Sequence, residues 1–204
     1  IGLARTHIIK GDLKAAEDEV REAIKRNPES AEAHATLADL LTMRNEPEQS
    51  LLSLREAIRL APRAVNYHFA HVSQLLRQGN APEAEQALQA MQAVAGSHPS
   101  TRYLKALMDY QANRLVEARD ALLQVLKDAP QYLPAELLAG TVLVRLNEHT
   151  QGRSHLERVL QRVPGEPMAR RTLVASHLAT GEAQRALELL QPLLQAQEID
   201  PRLL

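Results

Sequence analysis

Apolar residues recur along this chain with the spacing of α-helices, and the pattern itself repeats every 34 residues. One aliphatic position returns six times without a gap, at Val20, Leu54, Leu88, Leu122, Leu156 and Leu190. A second apolar position follows three residues later, at Ala23, Ala57, Met91, Val125, Val159 and Leu193. Residues three apart share one face of a helix, so each pair predicts a buried helical stripe. Six copies in phase indicate an internal structural repeat.

Two further markers keep the same period and predict where the helices end. Gly or Asn, which tolerate the left-handed backbone that closes a helix, recurs at Gly11, Asn45, Gly79, Asn113, Asn147 and Gly181. Five residues after each comes a small residue that allows close helix packing: Ala16, Ser50, Ala84, Ala118, Gly152 and Ala186. Proline ends a second helix at Pro28, Pro62, Pro130 and Pro164. Each unit is therefore predicted to be a hairpin of two antiparallel helices.

The predicted helices form six pairs, with Pro192 expected to kink the last helix or end it early. Their ranges are 1–10 and 13–27, 31–44 and 47–60, 65–78 and 81–95, 99–112 and 115–128, 133–146 and 149–162, and 167–180 and 183–197.

This pattern resembles the tetratricopeptide repeat over essentially the whole chain. The resemblance implies an all-α fold, an α-solenoid of about six 34-residue helix-turn-helix units forming a right-handed superhelix with a concave groove. We expect one solenoid segment over 1–204, with units at about 1–30 (partial), 31–64, 65–98, 99–132, 133–166 and 167–200. In three units a polar residue, His7, Asp109 or His177, replaces the large apolar residue that the family expects. No polar cap closes either end, so we expect a piece of a longer array.

Composition narrows the class of function. The 24 basic and 25 acidic residues give a net charge of −1, which argues against a nucleic-acid-binding protein. The chain has no cysteine, which excludes disulfides and thiolate metal sites. No apolar run approaches the roughly 20 residues of a membrane span.

Few residues are candidates for catalysis or metal binding, and we expect no catalytic, cofactor or metal site. His68 and His71 have metal-ligand spacing but no third ligand nearby, and His149 and His155 are spaced to point apart. Lys105 and Asp109 read as an ion pair within one helix, with a buried polar contact to a neighbouring repeat as the alternative. The acidic stretch of Glu17, Asp18, Glu19 and Glu22 reads as a solvated helix face. The segment is not expected to be an enzyme by itself.

The family resemblance implies which side chains face the groove, where we expect a protein or peptide partner to bind. The expected binding residues are Phe69, Leu76, Arg77, Tyr103, Leu107, Tyr110, Leu137, Val144, Arg145 and Arg171. Met168 and Leu178 hold groove positions of the last unit. Aromatic residues beside arginine dominate the energetics of many interfaces. The alternative is that these side chains pack against the next repeat, or against a helix from a part of the protein outside this segment. The Lys and Asn residues with which some family members clamp a terminal carboxylate are missing.

Three stretches are similar to the bacterial tetratricopeptide lipoproteins of the PEP-CTERM/exosortase system, which accompany exopolysaccharide production. They are residues 102–113 (RYLKALMDYQAN), 132–140 (YLPAELLAG) and 169–181 (ARRTLVASHLATG), the last followed by 186–194 (ALELLQPLL). This resemblance implies a periplasmic or envelope location and a scaffolding role, with a cytoplasmic location as the alternative. Two other functions stay open: a non-catalytic arm that positions substrate for a larger enzyme such as a transferase, and self-association through the terminal repeats.

Overall fold

The computed structural model describes residues 2–198, with side chains through residue 191. This part of the chain forms twelve α-helices and no β-strand. The helices are α1 (Gly2–Ile9), α2 (Leu13–Arg26), α3 (Ala31–Met43), α4 (Pro47–Leu60), α5 (Val65–Arg77), α6 (Ala81–Ala95), α7 (Pro99–Gln111), α8 (Leu115–Asp128), α9 (Leu133–Arg145), α10 (His149–Arg162), α11 (Pro167–Ala179) and α12 (Ala183–Glu198). The predicted all-α helical repeat is confirmed, with helix ends within about two residues of the predicted ones.

The chain divides into two compact units, Ile1–Leu104 and Lys105–Leu204, with the boundary inside α7. In the first unit the helices pack in chain order, each of α1 to α5 against the next one, so that the series ends with α5 on α6. In the second unit α8 to α12 do the same, and α9 also contacts α11, the first helix of the following repeat. The first helix of each hairpin is called its A helix below, and the second its B helix.

All six predicted turn markers adopt the left-handed backbone. Their φ angles are 77° at Gly11, 60° at Asn45, 72° at Gly79, 59° at Asn113, 64° at Asn147 and 76° at Gly181. The residue after each marker donates its N–H to the carbonyl five residues back, as Glu46 does to Leu41 at 2.8 Å. This bond closes an α-helix, so the Gly/Asn period places every A-to-B turn.

The small residues let the two helices of a hairpin approach closely. Ala16, Ser50, Ala84 and Ala118 are all fully buried. In the fifth hairpin both facing positions are glycine: a Cβ on Gly140 would lie 2.9 Å from the Gly152 carbonyl oxygen, and one on Gly152 would lie 3.0 Å from that of Gly140. The backbones of α9 and α10 are therefore in direct contact.

The recurring aliphatic positions form the core, with one departure. Val20, Leu54, Leu88, Leu122 and Leu156 are no more than 5% exposed, whereas Leu190 in the last hairpin is 36% exposed. Of the two expectations for Pro192, an early end of the helix was wrong, since α12 continues to Glu198, and a kink stays a prediction. Leu193 lies outside the residues whose side chains are described.

Candidate partner-binding surface

In the first unit, two of the predicted binding residues form an aromatic pair. Phe69 on α5 and Tyr103 on α7 stack with ring centroids 6.5 Å apart and planes at 29°, and both rings are half-buried. Leu76 is 6% exposed, so the expectation that it belongs to an exposed apolar strip was wrong. The helical stripe of α5 that packs inward includes Leu75 and Leu76, which explains the burial.

In the first unit, Arg77 and Asp39 carry opposite charges and influence each other. Arg77 is exposed and donates to Gln74 on its own helix. Asp39 on α3 keeps contact with solvent, but the surrounding protein desolvates its carboxyl and raises its pKa above the ordinary 3.8. The positive charge of Arg77 offsets part of that shift, so these two side chains are electrostatic neighbours.

In the second unit, three elements converge on one guanidinium group. Arg145, at the end of α9, lies over the ring of Tyr110 with its Cζ 5.0 Å from the ring centroid. Its Nη2 donates to Oδ1 of Asn113 at 2.7 Å, and Asn113 is the left-handed turn residue after α7. Arg145 is exposed, while Tyr110 is half-buried. The ring and the turn therefore hold an arginine at the surface in a fixed orientation.

The other predicted residues of the second unit differ in exposure. Leu107, Leu137 and Val144 are half-buried, and the last two pack on the core cluster of Leu156, Val159, Ala169 and Leu173. Arg171 on α11 is exposed. The same helix carries Met168 and Leu178, which are 46% and 57% exposed. The alternative of packing against the next repeat thus applies in part to Leu137 and Val144, because their core cluster includes residues of α11.

The two histidines of α5 differ in their contacts. His68 is buried, and its Nε2 donates to the Pro62 carbonyl oxygen at 2.8 Å. Burial, together with the charges of Arg55 and His68, lowers the pKa of His71 to about 4. The Nε2 of His71 has no hydrogen-bond partner among the described residues. In this part of the chain no three His, Asp or Glu side chains come together in a group that could hold a metal.

The predicted ion pair within one helix is present, since Lys105 Nζ lies 3.1 Å from Asp109 Oδ2, but Asp109 itself is only 4% exposed. Arg114 Nε and Nη2 also donate to Oδ1, at 2.9 and 2.7 Å. Arg114 follows the Asn113 turn, so the buried carboxylate is held within one hairpin and not by a neighbouring repeat.

Glu17 is buried, although we expected it on a solvated helix face. Asp18, Glu19 and Glu22 of the same acidic stretch are exposed as predicted. Glu17 is 8% exposed and accepts from Arg21 Nε at 2.6 Å and from Arg44 at the end of α3. Burial opposes its ionisation, but the hydrogen bond and charge of Arg21 and the charge of Arg44 outweigh it, so its pKa lies below 4.5.

Ion pairs of this kind link successive hairpins. Arg119 pairs with Glu148 at 2.9 Å, and Arg153 pairs with Glu182 at 2.5 Å. The hydrogen bond from Arg153 holds the pKa of Glu182 down to about 2. His149 also contacts Ser176 of the next hairpin, whereas His155 and Arg158 contact the buried Glu136 within their own hairpin. Periodicity did not reveal these pairs; the shared separation of 29 residues between Arg119 and Glu148 and between Arg153 and Glu182 was the available signal.

The described helices include none with the length and apolar character needed to cross a membrane. Residues 53–202 match the family model described as T7SS, ESX-1 secretion system protein EccA1, N-terminal domain. The chain belongs to that family. Residues 1–65 match a tetratricopeptide repeat model, and the chain is a tetratricopeptide-repeat protein, as the repeat predicted. None of the curated protein sequences matches it. The narrower resemblance to the PEP-CTERM lipoproteins is not confirmed.

Solved structures share the fold at low sequence identity. A chain of the APC/C hetero-tetramer Cut9-Hcn1 superposes with a TM-score of 0.86 at 13% identity, and covers 98% of this sequence. This sequence spans only 40% of that longer chain. PilW, a type IV pilus biogenesis factor, gives 0.80 at 17% identity over 98% of this sequence and 93% of its own. PilF of Pseudomonas aeruginosa gives 0.76 at 17% identity over 98% and 90%.

Proposed function

We propose that this protein is a non-catalytic scaffold that binds a helix or extended peptide of a partner protein on the A-helix faces of its repeats. The observation that carries the proposal is the arrangement of Tyr110 and Arg145, a half-buried ring beneath an exposed guanidinium. Tyrosine and arginine are enriched among the residues that dominate binding energy in interfaces. The stacked pair of Phe69 and Tyr103 supplies a second rigid apolar anchor, in the first unit.

The proposed setting is an export or envelope-associated assembly in a bacterium. The description of the matched family as part of the ESX-1 secretion system supports an export machine. An exopolysaccharide-associated lipoprotein, implied by the narrower sequence resemblance, is one form that such an assembly could take. Repeat proteins suit this role because stacked hairpins present an extended surface without enclosing a reaction site.

The test is a crosslinking pull-down from native cells with the wild-type chain and the double variant Tyr103→Ala/Tyr110→Ala. We expect the variant to lose one defined protein that the wild type retains. The matched control is Leu52→Ala/Val116→Ala, which removes side chains that are 63% and 48% exposed on the B helices α4 and α8. Equal capture by both variants would contradict binding at the A-helix faces. Circular dichroism establishes that each variant is folded.

A second function, positioning of a substrate for the catalytic part of a larger protein, is favoured by the description of the matched family as an N-terminal domain. In the natural gene product, the two functions give different results. If the repeats position substrate, Tyr103→Ala/Tyr110→Ala raises KM for that substrate while a small generic substrate reacts normally. If the repeats only hold an assembly together, both reactions are unchanged and the partner is lost.

A further inference from the structure

We propose that Arg145 and Arg171 make the A-helix surface of the second unit a docking site for an acidic, amphipathic segment of a partner protein, with a partner carboxylate on Arg145. The inference rests on the proposed function and specifies the chemistry of the partner. It starts from charge: the exposed charged residues of α9 and α11 are Arg145 and Arg171, whereas Glu136, the acidic residue of α9, is buried.

These two arginines have no ionic partner within the described chain. Other exposed arginines of the second unit form ion pairs, such as Arg114 with Asp109 and Arg158 with Glu136. No carboxylate oxygen among the described residues comes within 4.0 Å of Arg145 or Arg171. A guanidinium left without a carboxylate at a surface is available to one from outside.

The first unit has an arginine at the equivalent position, but in a different charge environment. Arg77 occupies the position in α5 that Arg145 occupies in α9, and Asp39 stands 38 residues before Arg77 as Leu107 stands 38 before Arg145. Asp39 places a carboxyl group near enough to Arg77 for the two charges to interact. Leu107 is apolar and half-buried, so the second unit presents a cation beside apolar surface where the first has a carboxyl group near the cation.

The guanidinium of Arg145 is also held in advance of binding. Its contact with the Tyr110 ring and its bond to Asn113 Oδ1 use one N–H and one face of the group. Arginine has five N–H donors in a planar fork, so the outward edge stays free for a bidentate carboxylate. Fixing the side chain before binding reduces the entropy that association costs.

Apolar surface next to these charges accounts for the amphipathic character of the partner. Met168 and Leu178 lie on α11 with Arg171 between them in sequence, and both are about half exposed. Nucleic-acid binding requires a series of phosphate contacts, which two cations among apolar side chains do not provide. The net charge of −1 for the whole chain also argues against a nucleic-acid ligand. A protein segment that places carboxylates beside leucine- or phenylalanine-like side chains fits both features.

The test is a selection of short random-sequence peptides on the immobilised full chain, followed by affinity measurements with one selected peptide. We expect selected peptides to be enriched in Asp and Glu flanked by apolar residues. Arg145→Gln should weaken the selected peptide about tenfold, the usual effect of losing a hydrogen-bonded charge. A peptide in which only the carboxylate bound to Arg145 is changed to an amide should lose the same factor on the wild type and nothing further on Arg145→Gln.

Two variants separate the guanidinium from its surroundings. Arg63→Gln removes an equal charge at an exposed loop position of the first unit and should bind the peptide like wild type. Asn113→Gly keeps the left-handed turn, which glycine adopts readily, and removes only the amide that orients Arg145. It should weaken binding severalfold, and less than Arg145→Gln does.

The outcomes distinguish this inference from the proposed function. Peptides without acidic enrichment that still depend on Tyr110 would overturn the inference alone, as would equal affinity of the acidic peptide for wild type and Arg145→Gln. Displacement of the peptide by a short RNA oligonucleotide at comparable concentration would also overturn it, in favour of a phosphate ligand. Failure to select any peptide would overturn both.

Discussion

The direct contact between α9 and α10 can be tested by adding one methyl group at Gly140. In the structure, a Cβ on this residue would lie 2.6 Å from Leu156 Cγ and 2.9 Å from the Gly152 carbonyl oxygen. Neither atom can move cheaply, because Leu156 is fully buried and the other atom is backbone. Overpacking of this kind costs about 1–3 kcal/mol, and backbone contact favours the upper end.

The change from glycine to alanine also brings a gain that must be subtracted. Alanine in a helix interior is favoured over glycine by about 1 kcal/mol. We therefore expect Gly140→Ala to lower the free energy of unfolding by about 2 kcal/mol, the difference between an overpacking cost of about 3 and a propensity gain of about 1. The measurement is urea unfolding followed by far-UV circular dichroism.

The matched control is Gly165→Ala, in the loop before α11. A Cβ there meets nothing within 4 Å, so the unfolding free energy should change by no more than about 0.5 kcal/mol. If Gly140→Ala were as stable as this control, the close approach of the two helices would not constrain the repeat, and the reasoning from Gly140 and Gly152 would be refuted.

Three other predictions rest on single contacts and use the same unfolding assay. Asn147→Ala should cost about 1 kcal/mol because φ is 64° there, whereas Asn147→Gly should cost nothing; equal effects would contradict the left-handed turn. Ser50→Ala should cost about 1 kcal/mol because its Oγ donates to the Ala38 carbonyl at 2.9 Å in the core, while Ser53→Ala, at an exposed position, should be neutral. Glu182 has a folded pKa of about 2, below its ordinary 4.5, so its stabilising effect is present above 4.5 and is lost as pH falls toward 2; the difference between wild type and Glu182→Gln should shrink over that range, and a constant difference would exclude the pairing.

The repeat made most of the fold predictable from sequence, because each marker acts through local backbone chemistry. Gly79 and Asn113 each adopt the left-handed backbone of a turn, and this conformation needs no distant contact. The core positions followed from helical periodicity and are buried in five of six hairpins. The fate of Pro192 was not predictable in this way, because a single helix breaker competes with the packing and propensity of its whole helix.

The side-chain surroundings were harder to predict. The burial of Asp109 depends on Arg114, which lies across a turn and carries no periodic signal in the other repeats. Leu76 was assigned to the surface from its position in the family pattern, but α5 buries it together with Leu75. Both departures have the same cause. Sequence spacing gives the direction in which a side chain leaves its own helix, but its burial also depends on which side chains of neighbouring elements pack over it.

The same dependence on neighbours is what lets one backbone repeat present different chemistry in different units. Arg77 and Arg145 occupy equivalent positions but differ in their contacts, because Arg77 donates to Gln74 whereas Arg145 lies over Tyr110 and donates to Asn113. They also differ in the charge nearby, since residue 39 places a carboxyl group near Arg77 and the equivalent residue 107 is a leucine. If this contrast in charge sets where an acidic partner docks, Leu107→Asp should place a carboxyl group near Arg145 and weaken the acidic peptide as Arg145→Gln does. It should do so while every helix stays in place, because residue 107 is half-buried at the surface and outside the fully buried core.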